Sequence, residues 1–391
     1  MTRTPRSQVR HVALLIESAR ASGRDIMQGV IRYIRERTSW ATYFEPRGPE
    51  NLPLDWLHGW HGDGILARIT TRQQATALQA TGLPVIDLRV TQKESHFPQV
   101  LTDNARIAQL AFTHLKECGL RHFAFCGLPA GLHHNLDWRR QEFQRLVEES
   151  GFPCLEFHFR SHPADWEQTR QQVAAWLRGL PKPIGILACN DEHGYQVLEA
   201  CNLAGLHVPE EVAVLGVDND PLLCNLTRPA LSSIHLDHVL IGYEAAAWLD
   251  RLMDGCKPPP SPIFIEPCGV VARRSTDLLA WDDSVVSAAL RFIREHACEG
   301  LRVSDVLKVA SLSQTALEQR FHRCLGRTPK AELLHVQIER ARQLLRETDL
   351  PLKKIANRVG FSGEKYFSYA FVHQNGISPS AYRKRHRGFD R

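Results

Sequence analysis

The chain has 391 residues, 43% of them hydrophobic and 23% charged, and a net charge of +5, which is too long for one ordinary domain and ordinary for a globular composition. No apolar run approaches the roughly 20 residues that span a bilayer, and the basic start MTRTPRSQVRH leads into a strand-like VALLI rather than a signal h-region, so a cytoplasmic protein without a membrane partner is expected. The charge is unevenly divided: residues 281–391 hold 20 Lys+Arg against 12 Asp+Glu, and the preceding 280 hold 28 against 31, which fits contact with a polyanion at one end only.

In chain order the body alternates short apolar runs with amphipathic helices. HVALLIE at residues 11–17 reads as a strand, and the helical pattern at 24–37 puts Ile26, Met27, Val30, Ile31 and Ile34 on one face. Further strands are expected at ATYFE, DGILARI, LPVIDL, PQVLTD, HFAFCG, LEFHF, IGILACN, EVAVLGVD, LSSIHLD and FIEP. Helices are expected at 104–117, 139–149, 167–177, 192–204 and 239–253. Such alternation predicts parallel sheets covered on both faces, and the strand count over about 260 residues exceeds one doubly wound unit, so two similar lobes are expected. The Pro-rich DGCKPPPSP at 254–262 is an exposed loop. The ten cysteines are scattered, form no CxxC and mostly lie in apolar runs, which predicts buried free thiols.

Beyond about residue 280 strands give way to helices, and one pattern occurs twice. Leu317, Phe321, Gly326 and Pro329 return fifty positions later as Phe367, Phe371, Gly376 and Pro379. Just upstream the offset is forty-nine: Val306, Leu307, Ala310, Leu312 and Ser313 match Ile355, Ala356, Val359, Phe361 and Ser362. Each copy has the layout of a helix-turn-helix. In the first, Ser313 is the expected N-cap of a helix at 314–323, pinned by Leu317 and Phe321, with Gln314, Thr315, Glu318, Gln319 and Arg323 facing out. In the second, Gly360 suits a left-handed helix exit, Ser362 is the expected cap of a helix at 363–371, and Gly363, Glu364, Lys365, Ser368 and Tyr369 face out. A helix at 331–347 joins the copies. The following cluster Arg383, Lys384, Arg385 and Arg387 suits phosphate contacts, which give affinity with little sequence information.

The stretches SLSQTALEQRF, GRTP, IANRVGFSGEKYF and GISPSAYRKR resemble the DNA-binding domain of AraC/XylS-type transcription regulators over about 100 residues. That resemblance implies that the second helix of each copy enters the major groove of a double-stranded operator with repeated half-sites. Gln319 and Tyr369 occupy places often held by arginine in the family, so the site read should be less guanine-centred.

The body carries a second resemblance. LTDNARIAQLAFTHLKECGLRHFAFCGLP, GILACNDEHGYQVLEAC and VPEEVAVLGVDND with RPALSSIHLD are similar to LacI-type sensors of the periplasmic-binding-protein fold. Body and tail together resemble xylose-responsive members of the AraC type. The implied architecture is a two-lobed α/β, type I periplasmic-binding-protein-like sensor at 1–275, a linker at 276–284, and an all-α DNA-binding domain at 285–391 with helix-turn-helix units at about 303–323 and 352–371.

A sugar needs carboxylates and amides around its hydroxyls and an apolar face against its C–H surface, and α/β clefts bind ligands at strand ends. Asn190, Asp191, Asp218 and Asn219 end strands. By the resemblance, Arg139 grips the ligand and Trp138 beside it stacks, while Arg24 and Asp103 are further candidates. The same strand-end residues could instead cap helices. The departure from the xylose-responsive pattern at residues 18–25 leaves the sugar itself open.

No catalytic residue, metal or cofactor is expected. His58 with His61 and the pair His133-His134 lack a third ligand at a recognisable spacing, there is no GxGxxG, GxxxxGK[ST] or GxSxG, and Ser161-His162 lacks a placed acid. The two resemblances together imply an activator of pentose catabolism, with D-xylose as effector, a homodimer on its operator, and RNA polymerase as partner. Two alternatives stay open: a repressor sensing a non-sugar metabolite such as a purine, and a carbohydrate-binding or carbohydrate-processing protein with a DNA-binding tail.

Overall fold

The computed structural model describes residues 9–46, 55–89, 96–159, 166–278 and 283–387. The chain opens with β1 (Arg10–Leu15), α1 (Ala21–Arg37), β2 (Trp40–Phe44), β3 (Gly64–Ala67), α2 (Arg72–Ala80) and β4 (Val85–Asp87). These strands form a parallel sheet in the order β2-β1-β3-β4. An Asp87–Gln99 bridge continues this sheet toward β5 (Val100–Thr102), which pairs with the later β11 (Ile263–Ile265). This is lobe 1, and α8 (His238–Met253) returns to complete it. Two glycines set the α1–α8 crossing. A Cβ on Gly29 would lie 1.9 Å from the Val239 carbonyl, and one on Gly242 equally close to that of Ile26, so only hydrogen allows these backbones to touch.

Lobe 2 holds α3 (Asn104–Glu117), β6 (His122–Gly127), α4 (His134–Glu149), β7 (Cys154–His158), α5 (Trp166–Gly179), β8 (Ile184–Ala188), α6 (Asp191–Ala204), β9 (Val212–Asp218), α7 (Pro221–Leu226), β10 (Ser232–His235) and β12 (Gly269–Val271). Its sheet runs β12-β10-β9-β8-β6-β7, parallel except for β12. The central strands β8 and β9 are buried along nearly their whole length, which explains their continuous apolar sequence. The chain therefore crosses between lobes three times: after β5, after β10, and between β11 and β12. The expected strands all form. β12, within the stretch closing the body, is additional. No disulfide joins the ten cysteines, of which six are buried and Cys256 is exposed.

The C-terminal part is helical: α9 (Ser284–His296), α10 (Val303–Ala310), α11 (Gln314–Leu325), α12 (Pro329–Glu347), α13 (Leu352–Arg358), α14 (Glu364–Asn375) and α15 (Pro379–Arg387). The repeat is a structural one. α11 and α14 share length and a fifty-residue offset, and both end on a left-handed glycine, Gly326 at φ 70° and Gly376 at φ 73°. Phe321 and Phe371 anchor separate cores at 0% exposure. Ser313 caps α11 as expected, its hydroxyl accepting from the Ala316 amide at 3.3 Å. Ser362 does not cap α14: that helix starts one residue later, behind Gly363, with no side-chain cap. Gly360 takes φ 83°, where a Cβ would also meet the Ala297 carbonyl at 2.7 Å, so the left-handed exit expected there forms.

Candidate functional site

Between the lobes lies a cavity of about 110 Å³, lined from lobe 1 by Arg20, Arg68, Arg89 and Ile26, and from lobe 2 by Arg139, Asn190, Asp191, Glu192 and Asp218. His133 and His238 complete its polar wall. Arg139 arrives there through helical spacing. It shares the buried stripe of α4 with Phe143 and Val147, four and eight positions on, so a guanidinium stands where an apolar side chain would sit. Its Nε donates to Asn104 Oδ1 at 3.0 Å and its Nη1 to the Cys189 carbonyl. Burial lowers its pKa, opposed by the Asp218 carboxylate. Asp218 ends β9 at φ 109°, followed by Asn219 at φ 57°. A non-glycine residue there is strained, and such strain clusters at ligand sites. Burial pushes the Asp218 carboxyl up, with the arginines opposing.

Asn190 and Asp191 divide two tasks. Asn190 caps α6, its Oδ1 accepting from the His193 amide at 3.0 Å. Asp191 is 1% exposed and accepts from the Asp220 amide at 2.7 Å and the Ser233 hydroxyl at 2.6 Å. Burial, then the Asp218 charge, pushes its carboxyl up to about 8, and the two hydrogen bonds it accepts tie β10 and the residues after β9 to α6.

The structure does not bring every expected residue into the cavity lining. Trp138 packs edge-on against Phe264, with ring centroids 5.3 Å apart. The apolar part of the wall is instead aliphatic, from Leu88, Leu136, Leu223, Leu236 and Ile241. Arg24 donates to the carbonyls of Ser18 and Ala19 and shapes the loop before α1. Asp103 caps α3 through the Arg106 amide at 3.0 Å, and Asn219 accepts from Arg273 at 2.8 Å.

Sequence reasoning missed three arginines of lobe 1. Arg20 grips Glu192 across the cleft with two hydrogen bonds, at 2.7 and 2.8 Å. Arg68 donates to buried Glu17 at 2.6 Å. Arg89 Nε donates to His133 Nε2 at 2.9 Å, and burial followed by repulsion from Arg68 lowers its pKa to about 10. Burial holds both His133 and His238 near 3, so they enter as neutral rings. These arginines follow β1, β3 and β4, where the strand-end rule applied to lobe 2 would have found them.

The second candidate surface lies on α11 and α14. Gln314, Thr315, Gln319 and Arg323 are exposed on α11, with Glu318 half-buried and accepting from Gln314 at 2.9 Å. On α14, Glu364, Lys365 and Tyr369 are exposed and Ser368 half-buried, and Tyr366 adds a second exposed ring absent from the expected set. Arg383 donates to the Leu350 carbonyl, so its guanidinium is turned back onto the domain, whereas Lys384 is exposed. Ser161-His162, residues 279–282 of the expected linker, and the side chains of His58, Arg385 and Arg387 lie outside the described residues.

Comparison with known proteins bears on both surfaces. Residues 11–105 match a family described as the XylR N-terminal domain, residues 112–276 a periplasmic binding protein-like domain, and residues 306–385 a helix-turn-helix domain. The chain is 32% identical to the xylose operon regulatory protein of Haemophilus influenzae over 95% of its length and 97% of that relative's. It is also 32% identical to that of Escherichia coli K12, over 95% and 96%. A solved structure described as the xylose-binding transcription activator xylR superposes with a TM-score of 0.63 at 30% identity, covering 97% of this chain and 99% of that one.

Proposed function

Because this chain belongs to the family of xylose operon regulatory proteins, AraC-type DNA-binding transcription regulators with a sugar-binding, periplasmic-binding-protein-like sensor, we propose that D-xylose is its effector and that it activates pentose-catabolic genes. The observation that carries this reading is the interlobe cavity, whose wall is built by hydrogen-bonding side chains from both lobes. A sugar that fills it and bonds to both lobes favours their closed arrangement. The effector shifts the equilibrium only by the difference in its affinity for the two arrangements.

Within the cavity, Arg139 and Asp218 are assigned to the sugar hydroxyls. Asn190 and Asp191 hold the lobe 2 wall, and the aliphatic side chains meet the C–H face. The exposed residues of α11 and α14 are assigned to base edges, and Lys384 with Arg385 to phosphates. The division follows as sensor 1–275, linker 276–284 and DNA-binding domain 285–391. A cytoplasmic homodimer would place four helix-turn-helix units on adjacent half-sites and recruit RNA polymerase. The relatives' names support the choice of xylose.

A thermal-shift series over pentoses, hexoses and purines tests the effector, since a ligand that binds only the folded state raises its apparent stability. D-xylose should raise the melting temperature most. A rise with purines alone, and none with any aldose, would replace the sugar reading with that of a nucleobase-type sensor.

A further inference from the structure

The DNA-binding domain does not merely follow the sensor in sequence; its last helix sits on the hinge between the lobes. His386 of α15 meets Asp237 through its Nδ1, and Asp237 is the residue at which the chain passes from β10 into α8, the second lobe crossing. On the same side, Arg346 of α12 donates to the Cys268 carbonyl at 3.4 Å and to the Tyr382 hydroxyl at 2.7 Å. Cys268 stands between β11 and β12, in the third crossing. Glu266 and Cys268 from the hinge line a common cavity with Arg342, Tyr382 and His386 from the helical domain. Two of the three segments that must twist when the lobes move therefore carry a side chain or carbonyl held by α12 or α15, helices that share the core of the second unit.

Asp237 also belongs to the wiring of the cleft. One carboxylate oxygen accepts from the Leu240 amide at 2.8 Å and caps α8, while the other holds His386. The next residue, His238, lines the sugar cavity with its Nε2 3.9 Å from Asp218. Asp237 is 7% exposed. A rotation of lobe 1 carries α8 with it, and the buried carboxylate at its N-terminus cannot shift without dragging or releasing the imidazole.

We propose that Asp237 and His386 are the positioning pair through which lobe movement reaches the DNA-binding domain, setting where α14 and α15 stand relative to α11. This rests on the sugar-switch reading above.

The test is a set of DNA affinities for the full chain, using a duplex that it enriches from a random pool. Affinity is measured with and without saturating D-xylose, and in Arg20→Glu, which sets a carboxylate against Glu192 and forces the cleft open without any ligand. The intact chain should change its DNA affinity roughly 5–150-fold, the usual range of coupling between sites. In His386→Ala that ratio should collapse toward one in both arms, and the effect of DNA on sugar affinity should shrink by the same factor. A purely structural role would lower the melting temperature and leave the ratio in place. His386→Gln, which keeps a donor toward Asp237, should restore part of the ratio. Asp237→Asn, which keeps the α8 cap, stands in should His386→Ala fail to fold. A ratio of intact size in His386→Ala, or in Asp237→Asn where that variant stands in, overturns the coupling and leaves the switch standing. No response of the intact chain to D-xylose or to Arg20→Glu overturns both.

Discussion

The two helix-turn-helix units share one backbone plan and differ in nearly everything attached to it. Both recognition helices run twelve residues and end on a left-handed glycine. The first is entered through Ser311, Leu312 and Ser313, with a left-handed serine and a side-chain cap. The second is entered through a longer turn containing Gly360 and no such cap. Their moorings differ too. Arg327, beside the first unit, pairs with Glu117 of α3 in lobe 2, and the second rests on the hinge. Copying a fold thus preserves its core and leaves its surface and attachments free to specialise: one unit is tied to lobe 2 and the other to a crossing between the lobes.

The strongest way to break the comparison is to remove each core in turn. Phe321→Ala and Phe371→Ala should each cost about 3–5 kcal/mol, the usual penalty for emptying a packed aromatic site, read from denaturant melts of the full chain. Phe321 and Phe371 lie in separate clusters, so each variant should raise hydrogen exchange mainly in its own unit. Equal loss of protection in both units from either variant would mean that they form one cooperative body.

Next in size is the mooring of the first unit. Arg327 bridges Glu117 at 2.5 Å and Glu332, which is 1% exposed, with Arg294 4.0 Å from the same carboxylate. Arg327→Met leaves Glu332 buried beside a distant partner and should cost about 3 kcal/mol. It should do so with the sugar dependence of DNA binding intact, since lobe 2 moves as one piece with α3. A change in that dependence as large as the one expected for His386→Ala would erase the distinction between the two moorings.

How much of this was readable in advance follows the range of the interactions. The helical domain was legible because its periodicity, left-handed exits and the Ser313 cap are local. Even the slip between the copies showed, although the repeat suggested Ser362 as the second cap and the structure starts α14 one residue later. The cleft was legible by half. Asn190, Asp191 and Asp218 announce themselves at strand ends, whereas Arg139 came through the family resemblance and the structure sets it on the buried stripe of α4. Arg20, Arg68 and Arg89 follow strands of lobe 1, where the same strand-end rule was not applied, and the apposition of the lobes turns them into one wall. Trp138 shows the converse: its neighbour Arg139 points inward, so on a helix it must point elsewhere, and it lies against Phe264.

A smaller effect separates what the two recognition helices read. Gln319→Ala and Tyr369→Ala should each change base preference by about 1–3 kcal/mol, at different positions of the selected duplex, because α11 presents an amide and α14 exposed tyrosine rings. Selection from a random pool with each variant decides it. The same bases relaxing in both variants would mean that the units read alike and that the longer second turn has no consequence for recognition.

The smallest effect concerns charge without sequence. Lys384 is exposed on α15, two residues before the mooring at His386. A phosphate contact there releases counterions whatever the bases, so Lys384→Ala should weaken all duplexes alike and reduce the slope of log affinity against log salt by about one. Because α15 also touches the hinge, the variant serves as a control. Its loss should be the same with and without sugar, whereas the loss in His386→Ala should appear only in the sugar response. A sugar-dependent loss in Lys384→Ala would mean that α15 moves on the DNA as the lobes move, and that mooring and grip are one function rather than two.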